Sequence, residues 1–471
     1  MPIDVPPSNN TDALISAIQA ASEKGEAVRL LSGTHLTKPG YRLLTPIGPK
    51  GLVMSGPKPG PLVPPARIQR PDRSIGIDPP GRTDDNFGIF LIPSAPTKAE
   101  LAGIEWLTFQ PKTGAPFEYG IVIRGDIRIS SVTVDCNMGN QGLEGLSKDK
   151  DEHSAMLGFS GFTYEAPNGP QGQKRQLFVG FNSVVLTDIT LERGGFADDI
   201  WFPPGYFRPN IGLVQLTRIV SQRRVNPRRA SVGFSGLTQR VTMKDCNLDT
   251  LHLELDEDWS TFPGPKVGIA PKFQPSVWSL SRITARGMAF AAKGAVQTLT
   301  AANLNVTETF QVHFAAGSIS NSQLALSVVD RRLFGLRSFL FSNCVWNLAQ
   351  EAGGVVPGLV LSANFARPFS ATFRNNTFST AGGFQSGQLI NTGDHTTDAA
   401  NQINATFNRC RYQPGFATPQ SPNTHVGRLQ QQGNYTFLKA DLAGRDPSQL
   451  FVLNPHAQQI DQGTTVLYHI P

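Results

Sequence analysis

The feature that most constrains this chain is a repeat of short, strand-forming runs. Runs rich in Val, Ile, Leu and Phe recur from residue 189 onward at spacings of 19 to 37 residues, with Gly, Asn, Pro and Ser between them. Repeats of this length are typical of solenoids, in which one coil cannot bury its apolar face alone and stacked coils share a continuous core. With Ile189 as the reference, the equivalent positions, called anchors below, are Val132, Ile189, Ile219, Cys246, Ile283, Ala302, Ser322, Cys344, Asn376 and Cys410.

The residues around each anchor follow one pattern. The residue three positions before the anchor is large and apolar, as Leu186 is before Ile189, and the residue two positions after it is mostly apolar. The residue directly before the anchor is polar or small, as Asp188 is. Because a strand alternates with period two, this spacing breaks the alternation. We therefore predict a corner between two short strands just before each anchor.

One helix is predicted, within residues 11–23. Leu14 and Ile18 have helical spacing there, Asn10 is an N-cap candidate and Gly25 a stop signal. The remaining composition argues against a helical or coiled-coil protein, because 46 Gly and 36 Pro stand among 471 residues and only 17% are charged.

The compartment is left open by the sequence. Residues 1–7 have neither the basic nor the apolar region of a signal peptide, so the protein is intracellular, or secreted or periplasmic if a leader has been removed. No apolar run approaches the ~18 residues of a membrane-spanning helix, and no membrane partner is expected. The four Cys do not make a disulfide scaffold, and three of them stand at anchors, where a buried small side chain is expected.

Residues 10–14 (Asn-Thr-Asp-Ala-Leu) and 27–37 resemble the start of right-handed parallel β-helix proteins of the pectin lyase-like superfamily. In that superfamily an amphipathic helix caps the open end of the solenoid. The resemblance implies an all-β, single-stranded right-handed parallel β-helix, and the superfamily includes polysaccharide lyases, glycoside hydrolases, epimerases, glycan transferases and phage tailspikes. The predicted organisation is a cap over 1–40, a β-helix over 41–415 with insertions at about 137–180, 256–277 and 380–403, and an irregular C-terminal segment over 416–471. The first insertion could instead be a hidden extra coil.

Charged and aromatic residues concentrate in residues 196–259. In many bacterial members of the superfamily three successive coils read roughly Asp-Gly-Ile, Asn-Arg-Arg-x-Gly-Ile and Gly-Ile-Asp-Ile-Glu-Pro. Residues 199–200, 228–232 and 253–256 are similar to these, with Ser231 in place of a Gly and with Glu before Asp in the acid pair. The Asp-Gly-His-Gly and Arg-x-Lys signatures of polygalacturonases are absent from the sequence, which argues against a pectin substrate.

The register of the repeat gives the same cluster independently. Strand alternation predicts that Glu254 and Asp256 point outward, about 5–7 Å apart, which is near the range of a retaining glycosidase. Asp199 and Asp256, two coils apart, could approach about 6–9 Å, the range of an inverting one. The alternative is a ladder of opposite charges that only pair on the outer surface. Four residues stand ten positions after successive anchors: Asp199, Arg229, Asp256 and Lys293.

These residues lead to three functional hypotheses. The first is a glycoside hydrolase or glycan transferase acting in an outer groove, with Asp199, Glu254 and Asp256 as catalytic residues. The runner-up is a lyase that acts on a uronic acid glycan through Arg229 or Lys293, and the third is a non-catalytic glycan-binding or tailspike-like module. The predicted substrate-binding residues are Asp198, Trp201, Arg224, Arg228, Arg229, His252, Trp259 and Lys293.

The predicted partner is a poly- or oligosaccharide. Five Arg lie within residues 218–229. They could bind the acidic groups of an anionic glycan, or they could equally balance nearby acidic side chains in a solvated loop. Nucleic acid is not expected, because the dense acidic segment would repel phosphates. Homo-oligomers are left open. No cofactor is predicted; the oxygen-rich residues 148–153 could bind calcium, but a solvated charged loop is the favoured interpretation.

Overall fold

The computed structural model describes residues 1–8, 10–36, 44–47, 51–58, 60–69, 87–93, 100–110, 119–123, 126–135, 155–159, 162–166, 175–179, 181–192, 198–202, 211–221, 231–234, 238–255, 276–292, 297–313, 315–326, 332–348, 355–356, 359–363, 368–380, 386–387, 390–392, 402–412, 427–442 and 451–471. The chain divides into two compact units, one of Met1–His252 with Lys266–Phe273 and the other of Leu253–Pro265 with Gln274–Pro471.

The first unit contains one described helix and the strands up to β19, within which the division falls. Its elements are β1 (Ile3–Val5), α1 (Thr11–Lys24), β2 (Ala27–Leu30), β3 (Gly33–Leu36), β4 (Leu44–Ile47), β5 (Val53–Ser55), β6 (Ala66–Gln69), β7 (Phe87–Pro93), β8 (Glu100–Glu105), β9 (Leu107–Phe109), β10 (Tyr119–Ile123), β11 (Asp126–Asp135), β12 (Ala155–Phe159), β13 (Phe162–Ala166), β14 (Arg175–Val179), β15 (Phe181–Glu192), β16 (Asp198–Phe202), β17 (Ile211–Ser221), β18 (Val232–Phe234) and β19 (Thr238–Leu255).

The second unit contains the remaining strands and a short 3-10 helix at Lys439–Leu442. Its strands are β20 (Ser276–Ala292), β21 (Gln297–His313), β22 (Ala315–Ser320), β23 (Gln323–Leu326), β24 (Arg332–Phe334), β25 (Arg337–Ser342), β26 (Val345–Leu348), β27 (Val355–Val356), β28 (Leu359–Ser362), β29 (Phe369–Arg374), β30 (Thr377–Thr380), β31 (Ser386–Gly387), β32 (Ile390–Thr392), β33 (Ile403–Asn408), β34 (Arg411–Tyr412), β35 (Gly427–Leu429), β36 (Gly433–Leu438), β37 (Phe451–Leu453), β38 (Gln458–Gln462) and β39 (Thr465–Ile470).

Each unit is a parallel β-helix in which three strand segments per coil stack into three sheets. In the first unit, one sheet runs β1, β2, β5, β8, β11, β15, β17 and β19, and the second runs β3, β6 and β9 into the later halves of the same long strands. The third runs β4, β7, β10, β12, β16 and β18. The second unit repeats this arrangement. The strand pairing confirms the predicted parallel β-helix.

The predicted corner before each anchor is confirmed. The residue at the corner has a left-handed backbone conformation in each of these repeats, with φ between 50° and 57°. One anchor was wrong, because Ile283 pairs with Leu304 and not with Ala302, and the corner residue is Asn303. The corner residues are Ser131, Asp188, Arg218, Asp245, Arg282, Asn303, Asn321, Asn343, Asn375 and Arg409.

Small polar side chains at several anchors satisfy the carbonyl groups that the corner leaves exposed in the interior. The Asn376 amide is fully buried and donates to the carbonyls of Phe341, at 2.8 Å, and Arg374, at 2.9 Å. The thiol of Cys344 donates in the same way to Ser342, at 3.4 Å. Since an unsatisfied buried carbonyl is costly, these anchors hold the corner in place.

The N-terminal helix is confirmed as α1. The Asn10 side chain accepts hydrogen bonds from the amides of Asp12 and Ala13, and Gly25 ends the helix with φ 75°. The predicted cap over 1–40 is not separate from the solenoid, because β1 precedes the helix and pairs with β2. Among the described residues, no helix combines the length and the apolar character needed to cross a membrane.

The predicted insertion at 137–180 and the predicted irregular C-terminal segment both contain regular strands. Val132 pairs directly with Ile189, so no extra coil separates β11 from β15. β12 is the third-sheet strand of that coil, and β13 and β14 form an antiparallel hairpin. The C-terminal segment was predicted to be irregular, but β36 continues the parallel stack after β33. Of the 380–403 insertion, β32 belongs to the third sheet. Residues 256–275 lie outside the described residues.

Candidate functional site

The predicted site residues are divided between the two units and are only partly described. Asp199 and His252 are described with their side chains. Asp198, Trp201 and Glu254 lie in strands, but their side chains are outside the described part of the structure. The roles assigned to all of these residues remain predictions. Those lying wholly outside the described residues are Arg224, Arg228, Arg229, Asp256, Trp259 and Lys293.

Asp199 does not lie on the outer wall as predicted. Its carboxyl group is buried, with 1% of the residue exposed, and Oδ2 accepts a hydrogen bond of 2.7 Å from the hydroxyl of Ser221. Ser221 is the last residue of β17, in the second-sheet half of that strand on the following coil, and is itself 8% exposed. Asp199 stands near the start of β16, where its side chain turns towards Ser221 instead of following the alternation of Ile200 and Phe202. The hydrogen bond therefore ties β16 to the end of β17 on the following coil.

Ser231 explains why the sequence departs from the Gly of the resembling pattern. This residue is fully buried, and its hydroxyl oxygen accepts hydrogen bonds from the amides of Asp249, at 2.9 Å, and Thr250, at 3.2 Å. Its own carbonyl accepts from the amide of Ile200 at 2.9 Å. A Gly would leave two partly buried amides without this acceptor, so Ser231 ties β16 to β19.

The end of β19 alternates as predicted. Leu251 and Leu253 are each 1% exposed, whereas His252 between them is partly exposed. Glu254 belongs to the same strand, and the outward placement of its side chain stays a prediction.

The basic cluster of residues 218–229 is described only at its first member. Arg218 forms a two-point ion pair with Asp188 on the neighbouring coil, with Nη2 2.8 Å from Oδ2. The hydrogen bonds from Arg218 hold the pKa of Asp188 below its usual value, and the ion pair raises the pKa of Arg218. Arg218 therefore pairs with an acid on the neighbouring coil at the corner. For this one residue, that agrees with the alternative in which the Arg cluster balances nearby acids.

The buried cysteines fit the predicted structural role. Burial raises the pKa of Cys246 to about 11 and that of Cys344 and Cys410 to about 12, so these thiols stay protonated at neutral pH and are poor nucleophiles. Within the described ranges there is no group of three or more His, Cys, Asp and Glu side chains that could hold a metal ion. The predicted calcium-binding residues 148–153 lie outside those ranges.

No family model matches the chain, and no curated protein matches it. Among solved structures the chain is similar to the A-module of the mannuronan C-5 epimerase AlgE4 from Azotobacter vinelandii, with 11% sequence identity and a TM-score of 0.37. The match covers 87% of this chain and 95% of that chain. The parallel β-helix described above rests on the strand pairing of this chain itself.

Proposed function

We propose that the protein is a carbohydrate-active enzyme that cleaves or transfers glycosidic bonds of a poly- or oligosaccharide, with Glu254 and Asp256 as its acid/base or nucleophile pair. The observation that carries the proposal is the alternation at the end of β19, where Leu251 and Leu253 are buried and His252 is partly exposed. The proposal places Glu254 and Asp256 on one face, as strand alternation does for residues two positions apart. The resemblance of this segment to an acid-bearing coil of pectin lyase-like proteins supports the same assignment.

The chemistry requires one carboxylic acid and one carboxylate. The acid protonates the leaving glycosidic oxygen, and the carboxylate attacks the anomeric carbon or activates water. Residues two positions apart on a strand have Cα atoms about 6.5–7 Å apart, which allows their carboxyl groups to approach the ~5–5.5 Å of a retaining pair. Asp199 is given no part in this proposal, because its carboxyl group is buried against Ser221.

The test is turnover of a panel of neutral and anionic glycans by the intact chain and by Glu254→Gln and Asp256→Asn. Each substitution should lower kcat by about 10²–10⁴-fold, the usual contribution of a general acid or base. Glu308→Gln is the matched control, because Glu308 is an exposed carboxylate paired with Arg286 on the surface of the second unit. It should leave turnover unchanged. Full activity of both site variants would refute the assignment.

The product identifies the reaction class. New reducing ends without new ultraviolet absorbance indicate hydrolysis, and longer glycan products indicate transfer. New ultraviolet absorbance indicates the unsaturated product of a lyase, in which case Arg229 or Lys293 becomes the residue to substitute. Retention of a glycan without turnover indicates a binding module.

A further inference from the structure

The last two strands form a hairpin at the C-terminal end of the second unit. β39 pairs antiparallel with β36 and buries Val466, Tyr468 and Ile470, each at most 1% exposed. The Tyr468 ring meets that of Phe437 edge to face, with centroids 6.3 Å apart. β39 therefore covers the last parallel strand of the first sheet, and its remaining edge is taken by β38.

β38 is ordered by its turn and by its pairing to β39, and not by burial. Gly463 has φ 76° in the turn, and its amide donates to Asp461 Oδ1 at 2.8 Å. All five residues of β38 are exposed, and among the described strands β39 is its only partner. A strand paired on one side presents a row of unpaired amides and carbonyls, which is a template for another strand. β38 is thus the outermost strand of the antiparallel set β36, β39 and β38.

We propose that the free edge of β38 pairs antiparallel with β38 of a second copy of this chain, about a two-fold axis at Ile460. The sequence of β38, Gln-Gln-Ile-Asp-Gln, supports this register. Gln458 then stands opposite Gln462 of the second copy, Gln459 opposite Asp461, and Ile460 opposite itself. Such an interface is self-complementary, as a two-fold dimer requires.

The charges agree with this pairing. Each Asp461 faces an amide side chain across the axis and not the other Asp461, and like charges directly opposite each other would be destabilising. Lys439 also lies against Asp461, with Nζ 2.6 Å from Oδ2, and compensates its charge.

The apolar residues agree as well. Ile460 is 44% exposed and stands across from Leu467 on the neighbouring strand β39. Pairing two copies would place Leu467, Ile460 and their two symmetry equivalents in one strip on the same face, because directly opposite residues of an antiparallel pair share a face. A second copy therefore covers apolar surface as well as satisfying the backbone.

The test measures the mass of the intact chain by sedimentation over a range of concentrations. A reversible dimer is expected. Ile460→Lys brings two ammonium groups face to face and should abolish the dimer. Val277→Lys is the matched control. Val277 is 41% exposed, like Ile460, but it lies in β20, where it is already paired with Thr298 of β21. This control should still dimerise.

Cysteine cross-linking tests the register. Ile460→Cys should form a disulfide-linked dimer under mild oxidation, because the axis brings position 460 opposite itself at the distance that a disulfide needs. Gln462→Cys should not, because two copies of position 462 are separated along the strands by about 13 Å. Any of three results would overturn the proposal. The chain could stay monomeric at every concentration, Val277→Lys could lose the dimer as completely as Ile460→Lys, or the two cysteine variants could cross-link equally. These results are independent of glycan turnover.

Discussion

The buried imidazole of His35 links the stability of the first coils to pH. His35 lies on β3, is 2% exposed, and has Nε2 3.0 Å from the carbonyl oxygen of Leu31. Burial lowers the pKa of His35 below its usual value of about 6.5, and the hydrogen bond to Leu31 opposes this only in part. The folded state therefore holds His35 neutral and binds fewer protons there than the unfolded state.

The sign of the pH dependence follows from this difference. The stabilisation is fully present above about pH 6.5 and is lost as the pH falls through the lowered pKa of folded His35. We expect the free energy of unfolding, measured in denaturant, to fall between pH 7 and pH 5. In His35→Gln the fall should be smaller. In His456→Gln, a substitution at an exposed histidine, it should persist. A His35→Gln profile parallel to that of the unaltered chain would contradict the role of His35.

Asp199 shows what residue-level reasoning can and cannot predict about the site. The alternation of β16 predicts an outward side chain, but the carboxylate is drawn in by a hydroxyl on another coil. A signal was present: Ser221 is the polar residue in a column otherwise made by Val134 and Leu191 in register with it. A polar side chain in an apolar column needs a buried partner, and the sequence does not say which residue supplies it.

The left-handed corner is the element that sets the register of the solenoid. Asn is among the residues that adopt this conformation most readily, and Asn321, Asn343 and Asn375 occupy successive corners of the second unit. Their side chains form a ladder: Asn343 Nδ2 donates to Asn321 Oδ1 at 3.0 Å, and Asn375 Nδ2 donates to Asn343 Oδ1 at 3.1 Å. The corners therefore stack through backbone conformation and through side-chain amides.

This element also explains how far the sequence predicted the fold. The apolar spacing located the corners correctly except the one before Ala302, where Leu299 and Leu304 satisfied the pattern two residues out of register. Small Ala side chains around position 301 hid the true anchor, Leu304. The left-handed tendency of Asn303 was the better signal there. Most of the predicted substrate-binding residues lie outside the described residues, so their placement by the register of the repeat stays a prediction.

A substitution at one corner tests its contribution. Asn343→Val puts a β-branched residue into a left-handed conformation, which costs about 1–2 kcal/mol, and removes two amide hydrogen bonds worth about 0.5–1.5 kcal/mol each. Asn343→Gly loses the hydrogen bonds without the backbone strain and should be milder. The exposed strand residue Gln323 provides the control Gln323→Val, which should change stability little. Denaturant unfolding measures all three; equal effects of the two Val variants would argue against strain at the corner.

At the scale of the whole molecule, stability comes from columns of equivalent residues. In the second unit the rings of Phe341, Phe373, Phe407 and Phe437 stack with centroids 5.0–5.1 Å apart and planes within 10° of parallel. In the first unit the matching columns are aliphatic, as in the register of Ile129, Leu186 and Leu216. Each residue in such a column contacts mainly the coils above and below it, so the energy of the fold is a sum of nearest-neighbour terms.

Nearest-neighbour stability predicts that damage stays local. Phe373→Ala removes a fully buried ring and should cost about 3–5 kcal/mol, which should speed amide hydrogen exchange in β25, β29 and β33 while leaving β15 and β17 protected. Leu216→Ala, a comparable loss from the core of the first unit, should do the reverse, at a cost of about 2–5 kcal/mol. If both variants raised exchange uniformly along the chain, the molecule would unfold as one cooperative block, because the energy lost at one coil would then be shared by all. The two opposite exchange patterns are expected because Phe373 is in register with β25 and β33, whereas Leu216 is in register with β15 and β19.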